Sequence, residues 1–359
     1  MRERNSRSRY ETQGIGFLER LPKWLICVPL LCQWLVLAVR YRSAMLPSLA
    51  NPHITSGGLV GEGKTEYFDA MGETALAATA RHGSFVVDAV DARMAAENCL
   101  RRCRLEFPLI AKPDIGWCGF GVRRIDTRDQ LNAYVDRFPR GERLVLQAYI
   151  AAEGEAGIFY ARRPDEPRGQ LIGLALRYFP RVIGDGHRTI AALIAGDMRL
   201  RRLGRDGLHQ VHRRLDAVPS VGEVVRLSTI GSTRVGGLYR DGTHLITPEL
   251  SGAIEAIAFD MQDFYFGRFD VRFESEDALR AGLGFTIIEV NGAGSEAIEA
   301  WDPSLSPIAA FAKIFRKQSL LFRVAADNRQ RGYKAISLRQ LAQLHLRQQR
   351  LIPRYPRSN

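Results

Sequence analysis

Two stretches decide the reading: GRFDVRF, Gly267 to Phe273, and FTIIEVNGAGSE, Phe285 to Glu296. Both are apolar enough for strands. The polar, glycine-containing segment between them suits the connection of an antiparallel pair. Side chains alternate along a strand, so Glu289 and Asn291 share one face. On the neighbouring strand Asp270 shares a face with Arg268 and Arg272. Pairing the strands brings two carboxylates and an amide carbonyl together, with arginines beside them. That donor set suits Mg²⁺, which takes one or two protein carboxylates and completes its shell with nucleotide phosphates. The arginines are bidentate donors to phosphate oxygens. A lone D…ExN pair is also what the solvated face of many sheets carries, so the rest of the chain decides.

Upstream, FPLIAKPDIGWCGFGVRRI, Phe107 to Ile125, reads as strand, glycine loop, strand. Lys112 ends the first strand as a point charge for nucleotide phosphates. Gly116, Gly119 and Gly121 let backbone N–H groups come close to those phosphates. Thr127 to Phe138 reads as a helix, and Leu144 to Arg162 as strand, turn, strand. Within it, Gln147 to Ile150, including Tyr149, is a hinge candidate whose backbone meets an adenine edge. Glu153 or Glu155 is the candidate acceptor of ribose hydroxyls. VIGDGHRTIAALIAG, Val182 to Gly196, is a strand end, a GDG turn and a helix capped by Thr189. His187 in that turn is a weak catalytic candidate; an exposed loop histidine is the plainer reading. Further strands are expected over Val221 to Leu227 and Gly236 to Leu245, and a helix over Pro248 to Phe264.

Lys112 with its glycine loop, the GDG turn, Asp270 and the Glu289–Asn291 pair stand in the order seen in ATP-grasp enzymes, and the chain resembles that superfamily. VIGDGHRTI and the segment around STRVGG (Ser232 to Gly237) are similar to the ATP-grasp part of cyanophycin synthetases. Arg268 to Asp270 and EVN at Glu289 to Asn291 are similar to D-alanine–D-alanine ligases. The resemblance covers about Phe107 to Ser306. It implies an α+β ATP-grasp fold: two lobes, each with an antiparallel sheet and helices, holding ATP between them. It implies that Lys112 contacts the phosphates, that Asp270, Glu289 and Asn291 bind Mg²⁺ (or Mn²⁺), and that Arg268 stabilises the transferred phosphate. The implied reaction is ADP-forming ligation of a carboxylate to an amine (or thiol), the substrates being small molecules or peptides. A small-molecule kinase on the same fold is the alternative. The chain departs from the pattern in three places. An apolar basic segment replaces the usual amino-terminal substrate domain. Gln147 or Ala148 stands where the hinge often carries Glu. Gly-Ala-Gly-Ser follows Asn291 where D-alanine ligases continue with a proline–glycine turn.

The expected organisation is a basic, apolar helical region over 1–105, an ATP-grasp domain over 106–318 and a basic helical tail over 319–359. The 359 residues, 46% hydrophobic and 25% charged, are ordinary for a globular chain, and the net charge of +12 favours anionic ligands or lipid surfaces. With no zinc-finger spacing and no RNA-binding aromatic signature, no nucleic-acid partner is expected. Five cysteines without a CxxC point to a reducing, cytoplasmic compartment. The apolar heart of Phe17 to Ser43 is about sixteen residues, short of the roughly twenty that a span needs. Trp24 and Trp34, flanked by Arg20, Lys23, Arg40 and Arg42, resemble an interfacial anchor, against the alternative of a helix packed on the body. Membrane-surface contact through 17–43 is therefore an open expectation, as is a purely binding, non-catalytic protein. GLVGEGKT, Gly58 to Thr65, matches the phosphate-loop pattern with Lys64 as its lysine, which requires a strand before it and a helix after it. A helix is expected over Thr65 to Ala80, another over Asp88 to Arg104, and a basic amphipathic one over Ser337 to Leu351.

Overall fold

The computed structural model describes residues 14–88, 90–203, 215–229 and 231–358. The chain opens on helix α1 (Lys23–Arg40) and reaches two short helices, α2 (Lys64–Asp69) and α3 (Glu73–Ala77). One helix was expected over Thr65 to Ala80. It is broken at Gly72, whose N–H leaves the helical ladder for Asp260 O at 2.9 Å.

The first sheet holds β1 (His82–Val86), β2 (Leu109–Pro113), β3 (Arg123–Ile125) and β4 (Arg143–Ala148), all antiparallel, in the order β1-β4-β2-β3. Two helices cover one face, α4 (Ala92–Cys103) and α5 (Arg128–Arg137). They bury Cys99, Leu100, Leu131 and Tyr134 against Leu109, Ala111, Leu144 and Leu146. Helix α4 begins at Ala92, later than the expected Asp88, and ends on a left-handed Arg104. Thr127 caps α5 by accepting from Gln130 N.

The second sheet holds β5 (Gly154–Ala161), β6 (Gln170–Tyr178), β9 (Leu238–Asp241), β10 (Phe266–Phe273) and β11 (Phe285–Asn291), in the order β11-β10-β5-β6-β9. Every pairing is antiparallel. A small ribbon of β7 (Arg181–Ile183) and β8 (Val224–Arg226) carries helix α6 (Ile190–Gly196), with Thr189 capping it as expected. Helix α7 (Pro248–Phe259) stops five residues before the expected Phe264, and α8 (Glu276–Arg280) occupies the connection between β10 and β11.

All eight residues of β10 are buried. Phe269, Val271 and Phe273 enter the main core with Ile287, Val290, Leu250 and Ile254. Arg268, Asp270 and Arg272 fall on the other face, so that face must pair its charges internally. The β10–β11 register sets Asp270 opposite Glu289 and Arg268 opposite Asn291. It then slips, with Val271 opposite Ile287, so Ile288 is the extra residue of a bulge and its backbone is released from the ladder.

The carboxyl-terminal helices are α9 (Pro307–Gln330) and α10 (Leu338–Leu351), capped by Ser306 and Ser337. Residue 319, where the tail was expected to begin, lies inside α9, and β1 precedes residue 105 yet pairs with β4. One face of α1 packs along α9. Gln33 Nε2 donates to Phe315 O and Ser319 Oγ, and Trp34 meets Phe322 edge-on at 5.0 Å between ring centres. Among the described residues no helix is long and apolar enough to cross a membrane.

Candidate active site

The polar face of β10 and β11 closes one side of a cleft of about 550 Å³. Asp270 lies at the bottom, 1% exposed. Its carboxylate accepts from Arg268 Nε at 2.6 Å, Arg268 Nη2 at 3.0 Å, Arg177 Nη2 at 3.1 Å and Asn291 Nδ2 at 3.2 Å. Arg177, from β6, also donates to Glu155 Oε1 at 3.1 Å, while Arg272 Nε lies 3.1 Å from Glu155 Oε2. These donors, shared between two buried carboxylates, offset the cost of removing the charges from water.

The opposite side comes from the first sheet. Lys112 reaches across from β2, and its Nζ donates to Gln147 Oε1 and to Ile288 O, both at 2.8 Å. The second acceptor, Ile288 O, belongs to the residue at the β11 bulge. Lys64, the first residue of α2, sets its Nζ 3.4 Å from Glu289 Oε1. Burial opposes ionisation of Glu289, but Lys64 first, then Lys112, Arg268 and Arg177, overcome it and hold its carboxyl at about 2. Glu289 is thus ionised at neutral pH while its side chain stays 33% exposed toward the cleft. Its negative charge is available to a cation.

Burial lowers Lys112 to about 8, helped by Lys64 and opposed by Glu289 and Asp270. Bound phosphate favours the charged form, so binding raises this value. If Lys112 holds a phosphate ligand, affinity is full only well below about pH 8 and falls as pH rises through that value, by up to about tenfold per unit until the bound-state value is reached. Calorimetric titration with ATP near about pH 7 and about pH 9 checks this. Lys112→Met should bind weakly at both and lose most of the slope; an unchanged slope would assign the titration to another group.

The structure gathers most of the site residues expected from the sequence in this one cleft: Lys112, Gly116, Gly119, Gln147, Tyr149, Ile150, Glu155, Arg268, Asp270, Glu289 and Asn291 all line it. Two expected residues do not. Gly121 is turned away, and its N–H donates to Ser358 Oγ at 3.1 Å. Glu153 sits outside, its side chain 79% exposed, with Arg226 at 3.9 Å. Of the two ribose candidates Glu155 alone faces the cleft, with its carboxylate engaged by arginines. His187 is exposed in the GDG turn, where Asp185 Oδ1 accepts from the His187 and Arg188 N–H groups.

The phosphate-loop pattern lacks its required context. A 3-10 turn (Thr55–Gly58), not a strand, precedes it, and α2 is six residues long. Gly58, at φ +81°, is needed for close approach: a Cβ there would stand 2.6 Å from Gly292 Cα. The run packs on the exit from β11, with the Ala293 N–H donating to Gly57 O and the Gly294 N–H to Gly58 O. This contact explains Gly-Ala-Gly-Ser after Asn291, since both partners must be bare backbone. Lys64 therefore enters the cleft, but from the lysine-containing end of a packed segment.

Residues not anticipated complete the lining. Tyr67 and Glu62 come from around α2, Arg177 from β6, and His345 and Gln348 from α10. The tail also holds the glycine loop: Gln348 Nε2 donates to Gly116 O, Tyr355 OH to Ile115 O and Ser358 Oγ to Gly119 O. Five buried polar atoms on cleft-lining residues, Glu62 Oε2, Tyr67 OH, Gln147 Nε2, Arg177 Nε and Ser295 Oγ, have no hydrogen-bond partner among the described residues.

No family model and no curated protein matches the chain. Solved structures resemble it distantly. A bifunctional glutathione synthetase from Pasteurella multocida is 15% identical with a TM-score of 0.38, over 73% of this chain and 35% of that one. The VanG D-Ala:D-Ser ligase from Enterococcus faecalis is 14% identical with a TM-score of 0.40, over 75% and 64%. A D-alanine–D-alanine ligase from Bacillus anthracis, complexed with ATP, is 13% identical with a TM-score of 0.42, over 75% and 68%. The chain spans about a third of the synthetase's length and about two thirds of the other two. These scores are low, and the fold is read from the sheets themselves. It is the α+β arrangement that the ATP-grasp resemblance implied: two antiparallel sheets with their helices, facing one charged cleft.

Proposed function

We propose that the protein is an ATP- and Mg²⁺-dependent ligase that joins a carboxylate to an amine, or a thiol, through an acyl phosphate. The observation that carries this reading is Asp270 facing Glu289 across β10 and β11, with Lys112, Arg177 and Arg268 converging on the same cleft. The donor set fits Mg²⁺: two carboxylates and an amide, with room for phosphate oxygens to complete the shell. Asp270, Glu289 and Asn291 would hold the ion, which supplies charge neutralisation to the phosphates when bound. Asp270 is saturated by arginine and amide donors in the free protein, so holding an ion there would require Arg268 and Arg177 to release its carboxylate.

Lys112 and Lys64 then bracket the phosphates from the first sheet and from α2. Gln147 Nε2, with Tyr149 and Ile150, faces the base. A substrate carboxylate oxygen attacks the γ-phosphorus, the bond to ADP breaks, and the acyl phosphate forms. The incoming nitrogen (or sulfur) attacks the acyl carbon, loses its proton and expels phosphate. Arg268 serves this sequence by neutralising charge on the phosphoryl group in transit. The carboxylate and amine are small molecules or short peptides; the bare Gly-Ala-Gly-Ser exit from β11 argues against D-alanine as the acceptor.

Thermal melting with Mg²⁺ and ATP, ADP or GTP tests the site. A ligand at about a hundred times its dissociation constant adds about 2.7 kcal/mol, and the shift should require both Mg²⁺ and an adenine nucleotide. Hydroxylamine added to a productive carboxylate should give a hydroxamate. ADP formation with a stable phosphorylated product and no hydroxamate would make the protein a kinase instead.

A further inference from the structure

Helix α1 has a second face that none of the described residues covers. From Trp24 to Val39 every exposed position is apolar or cysteine. Trp24 is 68% exposed, Leu31 58%, Val36 67% and Val39 79%, with Val28 and Leu35 between them. Over eighteen residues the stripe is roughly 27 Å long. Monomeric proteins rarely leave a contiguous apolar patch of this extent in water.

Charge identifies the occupant. Arg20 is exposed at one end of the stripe, and Arg40 and Arg42 at the other. From Arg20 to Gly61 there is no Asp or Glu at all. The nearest carboxylate before it, Glu19, is already paired with Arg199 at 2.6 Å. A second copy docked on this face by a two-fold axis would set arginine against arginine, whether the helices ran parallel or antiparallel, with no acid between them. An anionic lipid surface has the opposite complementarity. Its headgroups meet the arginines at both ends, its acyl boundary takes the aliphatic stripe, and Trp24 sits at the level that indole prefers. Gln33 and Trp34, on the far side, anchor the helix to α9, so the body rides above the surface.

We infer that α1 is an interfacial membrane anchor that lies flat on anionic bilayers. This does not depend on the ligase reading. The test is co-sedimentation of the full chain with vesicles of equal parts phosphatidylglycerol and phosphatidylcholine, and with vesicles of phosphatidylcholine alone. Wild type should bind the anionic vesicles, and Arg40→Gln with Arg42→Gln should weaken that binding roughly tenfold or more. Leu31→Glu with Leu35→Glu should abolish it without changing the melting temperature, because both side chains are exposed. Absence of binding by folded wild type overturns the inference. So does a wild-type dimer, detected by light scattering, that the glutamate pair converts to monomer without any vesicle binding.

Discussion

Glu289→Gln should reduce turnover by about 100-fold or more while the protein melts close to wild type. Glu289 lies across the strands from Asp270 and is the only one of the two carboxylates open to the cleft. Removing one preorganised electrostatic group, such as an oxyanion-hole donor, costs about 10²–10³ in rate, and the proposed loss of a metal-holding carboxylate is expected on at least that scale. Because Glu289 is ionised well below neutrality, the substitution removes a full negative charge at assay pH. The protein should stay folded, since the direct ion pair that is lost is the partly exposed one with Lys64, and the other cations around Glu289 keep their own hydrogen-bonded acceptors. Asp270→Asn tests the same chemistry with a different structural outcome. Arg268 and Arg177 would be deprived of their shared acceptor in a buried site, costing about 3–5 kcal/mol. The pair of variants therefore separates catalysis from folding. Steady-state ADP release, with urea unfolding of each variant, reads both. Full turnover by Glu289→Gln would remove the metal-ligand reading, whatever Asp270→Asn does.

The parts of this site legible from the sequence are those governed by short-range rules. Alternation along FDVRF and IIEVN placed Asp270, Glu289 and Asn291 on converging faces, and the register bears that out. The cap at Thr189 is likewise local, its side chain accepting from Ala192 N three residues on. Arg177 was hidden because LIGLALRY reads as a buried apolar strand; its role follows from the pairing of β6 with β5, a non-local fact. Glu153 lies in the turn just before β5 while Glu155 is inside the strand, opposite Arg272 and Arg177, and that boundary is not marked in the sequence. The bulge at Ile288 has no glycine to announce it, yet Ile288 O is an acceptor for Lys112. The GLVGEGKT pattern was misleading in its context and still held a cleft lysine, because what brings Lys64 to Glu289 is packing against the β11 exit. Strand β1, five residues around His82 to Val86, is short and mostly half-buried, so it left too weak an alternation to be read.

That packing leads to a stability effect as large as that of Asp270→Asn, at a residue that belongs to no motif. Asn51 is fully buried, and its side chain makes four hydrogen bonds. Oδ1 accepts from Tyr265 N at 2.9 Å and Phe266 N at 3.0 Å; Nδ2 donates to Gly57 O at 3.0 Å and Phe266 O at 2.8 Å. One amide thus fastens the amino-terminal segment to the start of β10 and holds Gly57, whose carbonyl also takes the Ala293 N–H. Asn51→Ala would strand two buried N–H groups and weaken two carbonyls. Each unsatisfied group costs about 1–3 kcal/mol, so about 3–5 kcal/mol should be lost after local relaxation. Asn51→Asp should do no better: it keeps the acceptor but turns an oxygen toward Gly57 O and Phe266 O, adding repulsion and a buried charge. The urea midpoint should fall for both variants with an unchanged slope, as expected when the native state alone is weakened. A loss under about 1 kcal/mol for Asn51→Ala would mean that water replaces the amide, and that the amino-terminal segment is held by its apolar packing alone. A full loss would tie Lys64 to the site, since the same loop that Asn51 clamps carries Lys64 to Glu289. The shift in melting temperature with Mg²⁺ and ATP should then shrink in Asn51→Ala, although Asn51 touches no residue of the cleft lining apart from the backbone of this scaffold.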